Sequence, residues 1–384
     1  MALSKITNLS ITDDAVRTVG IQDAAVTTAK TSGIPARPNA QPFIINGGME
    51  VNQRTGTTAT AFTNNVYGID RWLNFLNGSW AGNYQQIDRS NSVVTDLQTD
   101  SSKNFDNVMM IDCTSAASLG ATDLVGMLQH IEGYVHNPMA GKAITLSFWV
   151  RSTVTGTYCV AFKEQYTKTY VVEYTISSAN TWEQKIITLT DDTLANYSSN
   201  TSTTNGGSLI LYFGLRLGTT AQQTTADAWN TGNFYGTSNQ VTWGTSTSDF
   251  FYLAGVQIEM GTYTSSTIPP FQFESYRDNL SRCQRYYQLV GTAVGGAANT
   301  VSAYMVPMFW CPMRTTPTAS VEDVLSVNDP AVGNITQSSA SVTLNSGTPE
   351  GCFLTIPNLS GITANDPILS RFLNSNKYQF AAEI

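Results

Sequence analysis

The sequence predicts an all-β protein: a β-sandwich followed by one short helix and a smaller β domain, behind an extended N-terminal arm. Three observations predict it. Apolar residues alternate with period two over stretches of strand length, β-branched and aromatic residues fill those stretches, and Gly, Asn, Ser and Thr separate them.

The arm, residues 1–40, comes first. It repeats one octet at a spacing of ten, Ile11-x-Asp13-x-Ala15-Val16-x-Thr18 and then Ile21-x-Asp23-x-Ala25-Val26-x-Thr28. It holds no aromatic residue and leads into "SGIPARPNAQP", whose prolines and glycine mark a linker. A repeat with so little apolar surface can bury its Ile and Val only against other copies of itself or a partner. Ile11, Val16, Ile21 and Val26 are therefore expected to serve attachment and self-association.

From residue 41 the aromatics appear. The stretches 143–151, 157–164, 169–177, 183–190, 208–217 and 250–260 read as antiparallel strands. In "AITLSFWVR", Ile144, Leu146, Phe148 and Val150 share a core face, and Trp149 and Arg151 the other. In "SLILYFGLRL", Leu209, Leu211, Phe213, Leu215 and Leu217 line one face, and Tyr212 and Arg216 the other. An aromatic beside an arginine suits sugar stacking or protein contact, or burial under a neighbouring loop or protomer. The long segment 218–249 carries Trp229, Phe234, Tyr235 and Trp243. Two readings stand open for it: a binding loop on a rigid scaffold, or a flap over the sandwich.

A helix is predicted over 274–290, with Ser275 as N-cap and Leu280, Cys283, Tyr287 and Val290 on one narrow stripe. That stripe fits either a seam between chains or a prop against the sandwich. "GTAVGGAANT" reads as a flexible turn, and 291–384 as a smaller β domain ending in the strand "KYQFAAEI".

Composition bounds the chemistry. With 384 residues, 41% of them hydrophobic, the chain can bury ordinary cores, while charged residues make up only 12%. The net charge of −8 and the lack of a Lys/Arg cluster exclude phosphate-backbone binding, so no nucleic-acid partner is expected. No run approaches the ~18 apolar residues of a membrane span, and "MALSKITNLS" lacks the apolar core of a signal peptide. Folding in a cytoplasm without membrane insertion is expected. The odd, scattered cysteines read as reduced thiols. His130 and His136 have no metal-ligand spacing, and nucleophile elbows and phosphate loops are absent. Among carboxylates, Asp191 and Asp192 are adjacent, and Glu164 and Glu173 could face each other across a hairpin, with lysines nearby that favour an ion-paired face. The expectation is no enzyme, no metal and no cofactor.

Six segments in order resemble a widespread family of bacteriophage and prophage tail-fibre-type proteins: "FIINGGMEVNQR", "YGIDRW", "ITLSFWVRS", the Trp229-x-x-Gly232 loop, "FFYLAGVQIEMG" and "FQFESYRDNLSRCQRYYQ". "VPMFWCPMRTTPTASV" and "FAAEI" look like the C-terminal β domain of the same proteins. The resemblance implies that residues 41–273 form a jelly roll like those of carbohydrate-binding modules, with the helix at 274–290 and a β-sandwich-like domain at 291–384. In such modules an early Glu, here Glu50, often holds calcium with an Asp of the last strand; this chain has Leu253-Ala254-Gly255 there instead, which removes one ligand.

The resemblance further implies a homotrimeric, non-enzymatic virion protein assembled in a host bacterial cytoplasm. Residues 1–40 would bind other virion proteins, with Leu280 and Tyr287 joining the arm in oligomerisation. Trp149, Arg151, Tyr212, Trp229, Tyr235 and Trp243 would contact a host-surface glycan or protein. The alternative is a structural capsid fibre, decoration or tail-connecting protein, in which those aromatics only pack.

Overall fold

The computed structural model describes residues 41–101, 104–164, 168–189, 207–291, 294–298, 303–305, 311–321, 325–336, 341–372 and 377–383. Ile11, Val16, Ile21, Val26, Asp191 and Asp192 lie outside the described residues. From Pro42 on, the chain forms one compact unit.

Ten main strands build the sandwich: β1 (Leu73–Asn77), β2 (Ala81–Asp88), β3 (Asn107–Ser115), β4 (Leu124–Glu132), β5 (Ile144–Ser152), β6 (Gly156–Glu164), β7 (Lys168–Ile176), β8 (Glu183–Leu189), β9 (Gly207–Leu217) and β10 (Phe250–Met260). One sheet runs Thr60–Ala61, β2, β3, β10, β5, β8; the other runs Trp229–Thr231, β7, β6, β9, β4, β1, Val66–Tyr67. All pairings within both sheets are antiparallel, and the chain crosses from one sheet to the other again and again, as a jelly roll does.

The alternation places the core between the sheets. Ile144, Leu146, Phe148 and Val150 of β5 meet Leu209, Leu211, Phe213 and Leu215 of β9 there, with Phe148 edge-on to Phe213 at 5.0 Å between centroids. Beyond Leu215 the expected parity fails. A bulge between Gly214 and Arg216 sets Arg216 opposite the core residue Val125 and sends Leu217 to the outer face. One inserted residue reverses every side chain after it.

Helix α1 (Ser92–Ser101) covers part of the outer face of the first sheet. Asn91 Oδ1 accepts from the amide of Val93, Val94 and Leu97 bury themselves, and Trp182 donates to the carbonyl of Val93 at 2.9 Å. Helix α2 (Tyr276–Gln284) starts at Ser275, whose side chain accepts from the amide of Asp278. It is shorter than the sequence predicts, because Tyr287–Val290 leaves it as strand β11 and pairs with the C-terminal strand.

The C-terminal part holds two sheets. β12 (Val294–Ala298), β13 (Ala303–Met305), β15 (Leu325–Asp329), β16 (Gly333–Thr336), β17 (Thr343–Thr348), β18 (Gly351–Ile356) and β19 (Pro367–Phe372) form one in the order β16-β15-β19-β12-β13-β18-β17. β11, β20 (Tyr378–Ala381) and β14 (Thr318–Val321) form the other, with β20 in the middle. The stretch "VGGAA", expected as a turn, is strand β12, paired on both sides. Met313, Val327, Leu354, Ile356, Tyr378 and Phe380 fill this second core.

Candidate functional site

Four of the sequence segments that carry the resemblance converge on one buried seam between the sandwich and the C-terminal sheets. Asn46, in a left-handed conformation (φ 57°), organises it. Its Nδ2 donates to the carbonyls of Val51 and Asp70 at 2.8 and 3.0 Å, and its Oδ1 accepts from the amide of Val51 at 3.0 Å and from Asn279 Nδ2 at 3.3 Å. Its own carbonyl accepts from Trp72 Nε1 at 3.2 Å. The turn at "YGIDRW" bends through Arg71 at φ 73° and aims Asp70 and Arg71 at the chain's end.

There Arg54 pairs with Asp70 at 3.1 Å and with Glu383 at 2.9 Å, while Arg71 pairs with Glu383 at 2.6 Å. Arg71 lies 3.4 Å over the ring of Tyr286 and Arg54 3.6 Å over that of Tyr287. Burial raises the carboxyl of Asp70 to about 6, against the pull of Arg54 and Gln53. The stripe of helix α2 is spent on the same seam: Leu280 packs on Ile45, Val51, Cys283 and Tyr286, and Tyr287 is buried beneath Arg54. Within one chain the stripe packs as the prop of the two readings does.

The six expected contact residues do not come together. Trp243 is 0% exposed, inside the main core 5.7 Å from Trp80. Tyr212 is also 0% exposed, with Tyr235 at 4.6 Å and Phe75 at 6.0 Å. Both are packing residues here rather than contacts for a ligand. Gly126 leaves room for the Tyr212 hydroxyl and Gly214 for Gln240 of the 218–249 segment, whose Tyr235 packs on Tyr212. That segment is the flap of the two sequence readings. Trp229 is half-buried at the sheet edge against Tyr170, 5.5 Å away. Arg151 reaches helix α1 and pairs with Asp96 at 2.8 Å.

Trp149 lines a cleft of about 100 Å³ on the outer face of the first sheet. Three neighbouring strands build it: the register sets Gln184 of β8 and Ala254 of β10 on either side of Trp149, and Gln257 of β10 opposite Ser147. Phe271, Pro269 and Ser265 close its far wall. Gly255 (φ 59°) fits because a Cβ there would meet Phe105 at 2.5 Å and Trp149 at 3.2 Å. Gln257 is 4% exposed; its Nε2 donates to the carbonyl of Pro269 at 3.0 Å, and its Oε1 accepts from no donor among the described residues. Gln184 and Gln257 escaped the sequence reading because nothing local marks them; only the register assembles them around Trp149.

The chemistry elsewhere is that of packing. Glu173 stands opposite Cys159 on the outer face and accepts from Thr237 and Asn239, whereas Glu164 stands opposite the core residue Leu209. The two carboxylates are on opposite faces, so they do not face each other across the hairpin. Burial pulls His130 down to about 3 and His136 to about 4, leaving both neutral at pH 7. Among the described residues no three His, Cys, Asp or Glu side chains gather as metal ligands. At the early Glu50, the loop of Gly47 and Gly48 packs on the bulged backbone at Val256, and the acids near Glu50 are Asp106 and Glu274; burial and these two charges raise its carboxyl.

No family model and no curated protein matches the chain. Several solved structures match part of the chain. The enzymatically active domain of tailspike protein 4 of bacteriophage CBA120 matches at 12% identity over 57% of this chain and 21% of its own, with a TM-score of 0.29; the chain thus spans about a fifth of it. The module TmCBM61, in complex with β-1,4-galactotriose, matches at 10% identity over 58% of this chain and 100% of its own, with a TM-score of 0.28. The family 11 carbohydrate-binding module of Clostridium thermocellum, in complex with a β-1,3-1,4-mixed-linked tetrasaccharide, matches at 9% identity over 55% and 100%, with a TM-score of 0.28. At such values the likeness bears on neither ligand nor activity.

Proposed function

We propose that this chain is a non-enzymatic virion fibre protein of a bacteriophage, held on the particle as a homotrimer by residues 1–40, whose β-sandwich recognises a glycan of the host surface. The observation that carries this reading is the Trp149 cleft. It joins an aromatic wall to the amides of Gln184 and Gln257 on a rigid sheet, the mix of apolar and directional groups that a hydroxylated ring demands. The six ordered sequence segments support the viral setting, with assembly in the bacterial cytoplasm. The arm's repeat supports attachment: a chain starting at residue 41 is expected to fold yet fail to enter particles.

Burial of Tyr212 and Trp243 favours a second reading, a structural capsid fibre, decoration or tail-connecting protein that binds no receptor. Competition separates the two. Preincubating host cells with the purified full chain slows adsorption of the virus, with increasing effect at increasing dose, if the chain recognises the surface. Unchanged adsorption, with the chain folded and present in virions, assigns it to the structural class.

A further inference from the structure

We infer that the Trp149 cleft is a subsite for a neutral pyranose, to the exclusion of acidic sugars; this rests on the glycan reading above and names its ligand class. The first ground is an unmet hydrogen bond. Gln257 is all but buried, its Nε2 is spent on Pro269, and its Oε1 lacks any donor among the described residues. A buried carbonyl oxygen left without a donor costs about 1–3 kcal/mol, and a ligand that supplies one recovers it. A sugar hydroxyl is such a donor; a carboxylate is an acceptor and would face that oxygen with its own lone pairs.

The second ground is the wall. Trp149 and Phe271 offer apolar ring surface for the C–H edge of a pyranose, while Gln184, Ser147 and Ser265 offer uncharged polar groups. None of the residues lining the cleft is charged, so no guanidinium or ammonium waits for an acidic sugar. The chain's net charge of −8 repels anions at long range as well.

The cleft's size sets the strength. A space of about 100 Å³ takes part of one ring, far less than the several hundred Å³ of a drug-sized pocket. One ring held so shallowly binds with a Kd on the order of 1 mM, and repetition across copies in a particle multiplies the effect.

Saturation-transfer NMR on the full chain tests this with the methyl glycosides of glucose, galactose and mannose beside glucuronic acid and N-acetylneuraminic acid. The expected result is transfer to at least one neutral glycoside and to neither acid. Gln257→Leu, which keeps the volume and removes the acceptor, is expected to weaken that binding about tenfold. Gln184→Ala, on a half-exposed strand, repeats the test should Gln257→Leu fail to fold. Preference for an acidic sugar would overturn the ligand class. Neutral binding that persists unchanged in both variants would overturn the site while leaving glycan recognition standing. If no glycoside binds yet the chain slows viral adsorption, the cleft is wrong and recognition lies elsewhere; if adsorption is also unaffected, both readings fall.

Discussion

Arg71 and Glu383, 312 residues apart, meet at 2.6 Å where the sandwich meets the last strand, Arg71 buried and Glu383 half-buried. Glu383 is shared, since its other oxygen takes Arg54 at 2.9 Å. Removing it leaves the buried Arg71 guanidinium without its acid, while Arg54 keeps Asp70. Glu383→Ala is expected to destabilise the protein by about 3 kcal/mol, read as a lower denaturant midpoint. Arg71→Met combined with Glu383→Ala should cost less than the sum of the single changes, because the two groups form one network.

Asp70 gives the seam a pH dependence of known sign. Its carboxyl is raised from 3.8 to about 6 in the folded protein, chiefly by burial. The folded state therefore holds the proton more tightly than the unfolded one. The stability linked to this group is fully present below about pH 4 and is lost as pH rises through about 6, a change on the order of 3 kcal/mol. Asp70→Asn should flatten that part of the profile. Unfolding free energies of the two proteins at pH 4.5 and pH 7.5 check it; a seam that loosens on acidification through Asp70 would contradict the assignment.

The Asn46-Gly47-Gly48 loop tolerates no side chain at its second position. A Cβ on Gly47 would lie 2.0 Å from the carbonyl oxygen of Val256, a backbone atom held in the β10 bulge. Gly47→Ala is expected to cost more than about 3 kcal/mol or to abolish folding. Gly56→Ala is the control: φ is +56° there but nothing lies within 4 Å, so the cost should be about 1 kcal/mol. Near-ultraviolet circular dichroism and the yield of folded protein distinguish the two.

Tyr235 holds the flap to the second sheet. Tyr235→Ala should expose Tyr212 and Phe75, increase binding of a hydrophobic dye and lower stability by about 3 kcal/mol. It should leave sugar binding at the Trp149 cleft unchanged, since that cleft lies on the other sheet. A loss of sugar binding in Tyr235→Ala would move the recognition surface to the flap.

The strands with clean alternation were legible in the sequence. Those expected at 143–151, 157–164, 169–177, 183–190, 208–217 and 250–260 are Ile144–Ser152, Gly156–Glu164, Lys168–Ile176, Glu183–Leu189, Gly207–Leu217 and Phe250–Met260. Where alternation fails, the strands were silent. β4, "LVGMLQHIE", is buried on nearly every residue because the core takes one side and the outer cluster with Phe75 and Tyr235 the other, and β2, "AGNYQQID", is mostly polar. Helix α1 opens with Val-Val-Thr, poor helix formers, and is held by packing on Trp182 and Phe105. The parity of Arg216 was lost to a bulge that no composition signals.

The site divides in the same way. Trp149 was legible as an aromatic on the face opposite the core, whereas Tyr212, with an identical local pattern, is sealed by a flap more than 20 residues further on. The pattern of one strand reports which face a side chain takes but not what covers that face. The "NGGMEV", "YGIDRW" and "CQRYY" segments were legible as landmarks, yet their meeting with Glu383 in one ion-paired seam follows from the tertiary fold alone.

Glycan recognition by the folded part of the chain is tested most directly by binding of fluorescently labelled full chain to host cells treated in two ways. Periodate cleaves the vicinal diols of surface sugars, and protease strips surface proteins. The account predicts that periodate abolishes binding, that protease leaves it intact, and that Gln257→Leu binds untreated cells weakly. Binding that survives periodate, or that protease removes, would contradict it.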